Sequence, residues 1–352
     1  MSAEYPSEKC LITMPDVVMN KLLGLLDFPA VQCLRKTCPT LRNFIDDVKP
    51  NSALIILEIK VEPNCITSLY YLEDFVEIKE NLIRIKYCKT PEGCSVEWDK
   101  RDNRQQKKLL ESDDFVDAAS KDIISVLANQ KSVMESLNVE AVSPPDDILE
   151  EHKEILHKVF EQFLSNLESY LASEPKSLNV KTFETNVGDE TQILHILPHI
   201  DVGDLTIWNP NRYKVEVLNI QELIKLEQWK KLDSLHISCF CVDLKIEDLL
   251  HLKWCDLQYE TVSSDMIEEL KEAFRTTSHL ESFRIFGQSD IQQLMDPRYA
   301  GPHIENRLYN VTNSWFFSVS APERVLKVSF SSSQVLFEFD LLVNVPEGAT
   351  IN

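Results

Sequence analysis

Glycine is scarce in this chain. Seven residues in 352, at positions 24, 93, 188, 203, 287, 301 and 348, stand where average usage would place about 25. No two lie closer than fourteen positions, so a GxGxxG turn, a Walker A loop and a GxSxG elbow cannot be built anywhere. Chemistry resting on those devices is excluded. Positive charge is also short: 36 Lys and Arg face 57 Asp and Glu, a net charge of −21, which disfavours a direct nucleic-acid partner for the surface as a whole. Long apolar runs are missing, the longest being Ala53 to Leu57, far below the ~20 residues that span a bilayer. The opening MSAEYPSEKC has neither the basic flank nor the apolar centre of a secretory leader. No two of the nine cysteines have CxxC spacing, and an odd number in so long a chain fits a reducing compartment with every thiol free. A soluble protein of the cytoplasm and/or nucleus, without a membrane partner, is expected. On that reading the sequon Asn310-Val311-Thr312 is accidental.

What is present reads as a folded chain of two or three domains: hydrophobic residues make up 43% and charged residues 26%, close to globular averages. Met14-Pro15-Asp16 opens a helical unit with apolar residues at 18, 22, 25 and 26, one stripe of an amphipathic helix. Asp27-Phe28-Pro29 breaks it, and Val31, Leu34, Cys38, Leu41 and Phe44/Ile45 continue at helical spacing as far as Pro50. So small a bundle cannot bury all its apolar surface alone. From Ala53 the texture becomes β-branched and aromatic (ALIILEIKV 53–61, LIRIKYC 82–88, CSVEW 94–98), predicting three or four strands before a polar linker at 100–106. Helices are predicted over 115–129, capped by Ser112-Asp113-Asp114, and over 148–171, launched by Pro144-Pro145-Asp146-Asp147.

Between 178 and 287 a strand-then-helix texture recurs. SLNVKTF (177–183), DLTIWN (204–209), SLHISCF (234–240), CDLQYE (255–260) and SFRIFG (282–287) are the strands, and 220–230, 246–252 and 265–275 the helices. Leu205, Leu235, Leu257 and Phe283 mark equivalent points at spacings of 30, 22 and 26, bracketing the leucine-rich-repeat range without regularity. The chain closes with a hairpin, 325–330 against 335–343.

Catalytic and metal-binding signatures are weak. Cys239 and Cys241 share one face of a strand and read as core. His195 and His199 have i, i+4 spacing, yet Pro198 interrupts the helix and no Glu stands between them as HExxH requires. His152-Lys153-Glu154 has no PCxxC to complete a deaminase zinc site. No catalytic residue, metal or cofactor is assigned.

At Met14-Pro15-Asp16-Val17-Val18-Met19-Asn20-Lys21-Leu22-Leu23-Gly24-Leu25-Leu26-Asp27, and on through Val31, Leu34-Arg35-Lys36-Thr37-Cys38 and Leu41 to Asp46, the chain resembles the F-box. Downstream, Leu226-Glu227-Gln228-Trp229-Lys230-Lys231-Leu232-Asp233-Ser234-Leu235-His236-Ile237 and the stretch 193–205 look like the FTH domain of the nematode F-box A family. Met14 replaces the usual Leu, and Pro39 after Cys38 either starts a new helical turn at N1 or distorts the second helix. The resemblance implies a non-enzymatic substrate-recognition adaptor: the F-box docks on a Skp-type adaptor protein, and through it a cullin ubiquitin ligase, while the rest captures a target protein. The alternatives are a non-ligase interaction scaffold, for example one binding an RNA-binding protein, and a hydrolase or transferase with dispersed catalytic residues.

The expected fold is α+β/α/β: a small helical F-box (10–50), a β-rich segment and linker (51–112), an FTH domain as an irregular leucine-rich-repeat-like αβ solenoid (113–302) and a C-terminal β-hairpin segment (303–352). Met14, Pro15, Val18, Leu22, Leu25, Leu26, Val31 and Leu34 match the motif's docking surface. On the repeat, strand alternation turns Leu205, Ile207, Leu235, Ile237, Cys239, Cys255, Leu257, Phe283 and Ile285 inward. It leaves Trp208, His236, Phe240, Arg284 and Phe286 outward as a target-binding set, with the aromatic and Arg content of a hot spot.

Overall fold

The computed structural model describes residues 11–26, 28–35, 37–72, 82–99, 105–142, 150–211, 214–288, 301–307, 310–331 and 333–352. The start of the expected linker (100–104) and the Pro-Pro-Asp-Asp helix start (144–147) lie outside them. The chain forms two compact units, one of residues 1–57 with 65–135 and the other of residues 58–64 with 136–352.

In the first unit, α1 (Asp16–Leu23), α2 (Phe28–Arg35) and α3 (Pro39–Val48) make the helical bundle. Its core is Leu23, Val31 and Ile45, with Leu34, Phe44 and Val48 packed around them. Pro39 does start a helix: it sits in the first turn of α3, and the Leu41 N–H donates to the Cys38 Sγ at 3.5 Å as the cap, so proline's missing donor falls where none is needed. Arg35 clamps Asp46 through Nε at 2.6 Å and Nη2 at 3.2 Å, tying α2 to α3. Phe28 lies 5.9 Å from Tyr70 on the following β-segment.

That segment runs from β1 (Ile56–Glu62) through β2 (Cys65–Tyr71), β3 (Leu82–Thr90), β4 (Gly93–Asp99) and β5 (Gln105–Glu111). Strands β2 to β5 form an antiparallel meander. Gly93, at φ +142, lets β3 turn into β4, since a Cβ there would fall 2.3 Å from the Leu110 carbonyl oxygen. Strand β5 is one strand more than the sequence suggested, because QQKKLLE carries the lysines of a protected edge rather than an apolar alternation. Helix α4 (Phe115–Leu127) is capped by Asp114, whose Oδ1 accepts from the N–H groups of Val116 and Asp117. Its Asp122 accepts a 2.7 Å hydrogen bond from the buried Tyr87 hydroxyl. Cys65 and Cys88 stand directly opposite across β2 and β3, Cα to Cα 4.2 Å, and are joined as a disulfide. This corrects the expectation that all nine thiols are free: pairing of residues 23 apart depends on a strand register that spacing does not reveal.

The second unit is a mixed sheet. Its further elements are β6 (Met134–Ala141), α5 (Glu150–Ser173), β7 (Leu178–Asn186), α6 (Glu190–Leu194), β8 (Ile200–Trp208), β9 (Glu216–Leu218), β10 (Ser234–Val242), β11 (Trp254–Thr261), α7 (Ser264–Thr276), β12 (Ser282–Gln288), β13 (His303–Arg307), β14 (Asn310–Ser318), β15 (Arg324–Phe330) and β16 (Gln334–Leu341). Strands β7, β8, β10, β11 and β12 lie side by side and parallel. Strand β16 joins β12 antiparallel and is followed outward by β15, β14 and β13. The C-terminal hairpin therefore extends the sheet. Of the helices expected between the parallel strands, α7 is present, whereas 220–230 and 246–252 shrink to single 3-10 turns at Leu223–Lys225, Trp229–Lys231 and Ile246–Asp248. These turns still bury Leu223, Trp229 and Ile246, the apolar spacing that suggested helices.

Strand β10 departs from simple alternation. Cys239 has φ +61, and the β10–β11 register shifts between His236 and Cys241. A left-handed residue in mid-strand is a bulge, and it reverses which side chains face the core. The buried Asn209 holds it. Its Nδ2 donates to the carbonyls of Cys239 (3.0 Å) and Lys214 (3.1 Å), while its Oδ1 accepts from the Asn211 N–H at 2.7 Å. Asn209→Ala strips the half-buried Cys239 carbonyl and the exposed Lys214 carbonyl of their donor, and only the former is shielded enough to bear the ~1–3 kcal/mol of an unpaired group. A loss of about 1–3 kcal/mol in urea unfolding is expected, and a change under about 0.5 kcal/mol would show that the bulge holds itself.

Candidate functional site

Two surfaces hold the residues that the sequence singled out. On the helical bundle, α1 buries Met19 and Leu23 and turns its other apolar stripe outward. Val18 is 43% exposed, Leu26 39%, Met14 36% and Leu25 76%. Pro15 is exposed as well, and Leu22 is half-buried. Val31 belongs to the bundle's own core and Leu34 packs against it, so these two of the eight motif-matched residues serve the fold first. Their positions on α2 face α1 and α3, which a hydrophobic pattern cannot distinguish from a face toward a partner. Val17, 80% exposed, is a further outward apolar residue and was not singled out by sequence.

The second surface is the side of the parallel ladder opposite its buried core. Trp208, His236 and Phe286 are partly exposed on it and Arg284 is exposed. Phe240 is not there: it is 1% exposed, because the bulge at Cys239 turns it inward with Val242. For the same reason Cys239 and Cys241, expected inside, are only half-buried. Burial and the Glu260 charge raise the Cys241 thiol above its ordinary pKa. The pattern Cys-Phe-Cys-Val, apolar throughout, gave no sign of the shift, and no glycine marks it.

Register lines up this face in rows. Thr206, His236, Asp256 and Arg284 are consecutive partners across β8, β10, β11 and β12. The His236 Nδ1 is 3.4 Å and the Arg284 Nη1 3.3 Å from the Asp256 Oδ2. The Trp208 ring lies 5.1 Å from that of His236. Toward β7 the row becomes acidic: Glu184 pairs with Thr206, and its carboxyl is raised by burial and by the charges of Glu140 and Glu58.

The residues that carry the FTH resemblance are structural. Trp229 is buried, its Nε1 donating to the Asp248 carbonyl at 3.2 Å and its own carbonyl lying 2.8 Å from the His251 Nε2. Gln228 donates to the Pro198 carbonyl at 2.7 Å. His195 lies between Glu168 (2.6 Å) and Glu161 (3.4 Å) rather than beside a second histidine. Among the described residues no group of three or more His, Cys, Asp or Glu is placed to hold a metal, and no helix is long and apolar enough to cross a membrane. A cleft of about 140 Å³ in the meander is lined by Arg84, Lys86, Glu97, Trp98 and Asp99; hydrogen bonding to Lys107 lowers its Glu97 carboxyl below the usual range.

Comparison with known proteins identifies both domains. The F-box domain model matches residues 11–52 and the FTH domain model residues 161–298. F-box A protein 224 of Caenorhabditis elegans is 23% identical over 338 residues, covering 92% of this chain and 80% of that protein. No solved structure matches the chain. The chain thus carries an F-box domain followed by an FTH domain and resembles an F-box A protein over most of its length.

Proposed function

We propose that this protein is the substrate-recognition adaptor of a Skp–cullin–F-box ubiquitin ligase. Met14, Pro15, Val18, Leu22, Leu25 and Leu26 dock on a Skp-type adaptor, with Leu34 and Val31 supporting that surface from behind, and the FTH region holds a target protein. The observation that carries the reading is the row of exposed apolar residues on α1 and on the residues just before and after it, which the bundle's own core leaves unused. Ubiquitin transfer belongs to other subunits in this arrangement, and the protein works in the cytoplasm or nucleus. The parallel ladder is read in finer terms as an irregular leucine-rich-repeat-like solenoid, supported by five neighbouring parallel strands and the short returns between them.

Leu25 is the probe of choice, because at 76% exposure its replacement leaves the fold intact. An apolar anchor buried at an interface is worth ~2–4 kcal/mol, so Leu25→Asp should weaken adaptor binding at least ~30-fold in titration calorimetry, with native far-UV circular dichroism. Failure of the wild-type chain and a Skp-type adaptor to associate at micromolar concentration would leave the scaffold reading in its place.

A further inference from the structure

Among the described residues the open face of the parallel ladder has a surplus of acceptors, and its Arg284 and Lys327 already face carboxylates. Arg284 and His236 both face Asp256, and Lys327 holds Glu338 at 3.0 Å. Glu140 and Glu184 have no ion pair among the described residues; Glu140 receives only the Asn138 Nδ2 at 3.0 Å. The Oδ1 atoms of Asn138 and of Asn186, the latter opposite Trp208, are shut from water without a hydrogen-bond donor. Every unmet polar group named here is therefore an acceptor. Beside them stands the half-exposed Trp208, with the half-exposed Phe286 further along the same face on β12, and an indole next to carboxylates attracts a cation through its ring face as well as by charge.

We infer that this face takes an extended target segment that places an arginine or lysine against Glu140 and Glu184 and lays its neighbouring apolar side chains on Trp208 and Phe286. The inference rests on the reading of this face as the capture surface and adds the chemistry of what is captured. From β6, which carries Glu140, to β12 the ladder spans five strand spacings, about 24 Å, the reach of roughly seven extended residues. An acidic segment or a nucleic-acid backbone would meet the same carboxylates as repulsion. The Glu184 carboxylate goes without a cation at a cost: burial and the charges of Glu140 and Glu58 raise its pKa in the folded chain, so stability is lost as pH rises from the ordinary carboxylate value through the raised one. A cation from the target relieves this, and Glu184→Gln should leave the fold at least as stable at neutral pH.

The test is fluorescence anisotropy on the full chain with a labelled peptide of about twelve residues alternating Arg with Leu, long enough for the span above, and with its citrulline counterpart, equal in shape and uncharged. The arginine peptide should bind at least ~10-fold more tightly. The pair Glu140→Gln with Glu184→Gln should remove that advantage and leave the citrulline peptide unaffected, whereas Trp208→Ala should weaken both. Equal binding of the two peptides, or an arginine peptide indifferent to the double variant, overturns the cation preference. If Trp208→Ala still weakens both peptides in that case, the capture face stands and only its chemistry is wrong. If Trp208→Ala, Phe286→Ala and the double variant are all silent, capture occurs elsewhere and both readings fall.

Discussion

Phe274→Ala is expected to lower the stability of the second unit by about 3–5 kcal/mol, among the largest effects available to a single substitution here. Phe274 is 1% exposed on α7. Its ring meets Phe283 edge-on at 5.4 Å, stacks on Phe337 at 5.7 Å and tilts against Phe339 at 5.5 Å. One side chain thereby fastens the helix across β12 and β16, the junction where the parallel and antiparallel parts of the sheet join. Removing it forfeits the buried area and leaves a cavity between strands whose backbones are fixed by ladder hydrogen bonds and cannot close inward. Equilibrium urea unfolding followed by tryptophan fluorescence measures the loss. A shift below about 1 kcal/mol would mean that α7 is held mainly by something other than this ring.

On the same helix, Glu268→Ala should be more damaging than Lys271→Met, although the lysine is far more buried. The Lys271 side chain is 2% exposed; its ammonium pairs with Glu268, has Glu272 at 4.0 Å and lies 5.4 Å from the centre of the Phe317 ring. Methionine fills the same volume without a charge to desolvate, so that replacement should stay within about 1 kcal/mol of wild type and can stabilise. Alanine at 268 instead leaves a buried ammonium without its nearest anion. The usual ~3–5 kcal/mol for such a break is reduced here to about 2–3 kcal/mol, because the Glu268 side chain is 38% exposed and Glu272 remains. Combining the two substitutions should restore most of the stability, and a double variant no better than Glu268→Ala would show that the lysine's charge is not what Glu268 compensates.

These elements also show how far the sequence could be read. Helix α7 was legible as 265–275, one residue short at each end of the observed 264–276, because its apolar residues keep a 3.6 period; the Ser263 cap, its Oγ accepting from the Met266 N–H at 3.2 Å, came only with the structure. The starts of β10, β11 and β12 were legible from period-two alternation. What was lost is whatever depends on a partner distant in sequence. The bulge at Cys239 is held by Asn209, thirty residues earlier, so alternation carried past it assigned Phe240 to the wrong face. Helix α1 has apolar residues on more than one side, and hydrophobicity alone did not say that Met19 and Leu23 would take the core while Val17 and Val18, and Leu25 just past the helix, stayed outside. The motif match picked most of these outward residues, and it missed Val17 for the same reason.

The way the chain is divided between its two units has a consequence for synthesis. Residues 58–64, most of β1, belong to the second unit although they precede the meander of the first. Strand β1 borders β6, which begins only at Met134. On a ribosome adding ~5–20 residues per second, the apolar run ending in β1 is exposed for several seconds before β6 follows it out of the exit tunnel. During that interval the strand has the composition that recruits edge pairing between nascent chains. A fragment beginning at residue 136 would release the FTH region with the β6 edge bare. The least that can be expressed as a self-sufficient piece is therefore longer than either domain match suggests.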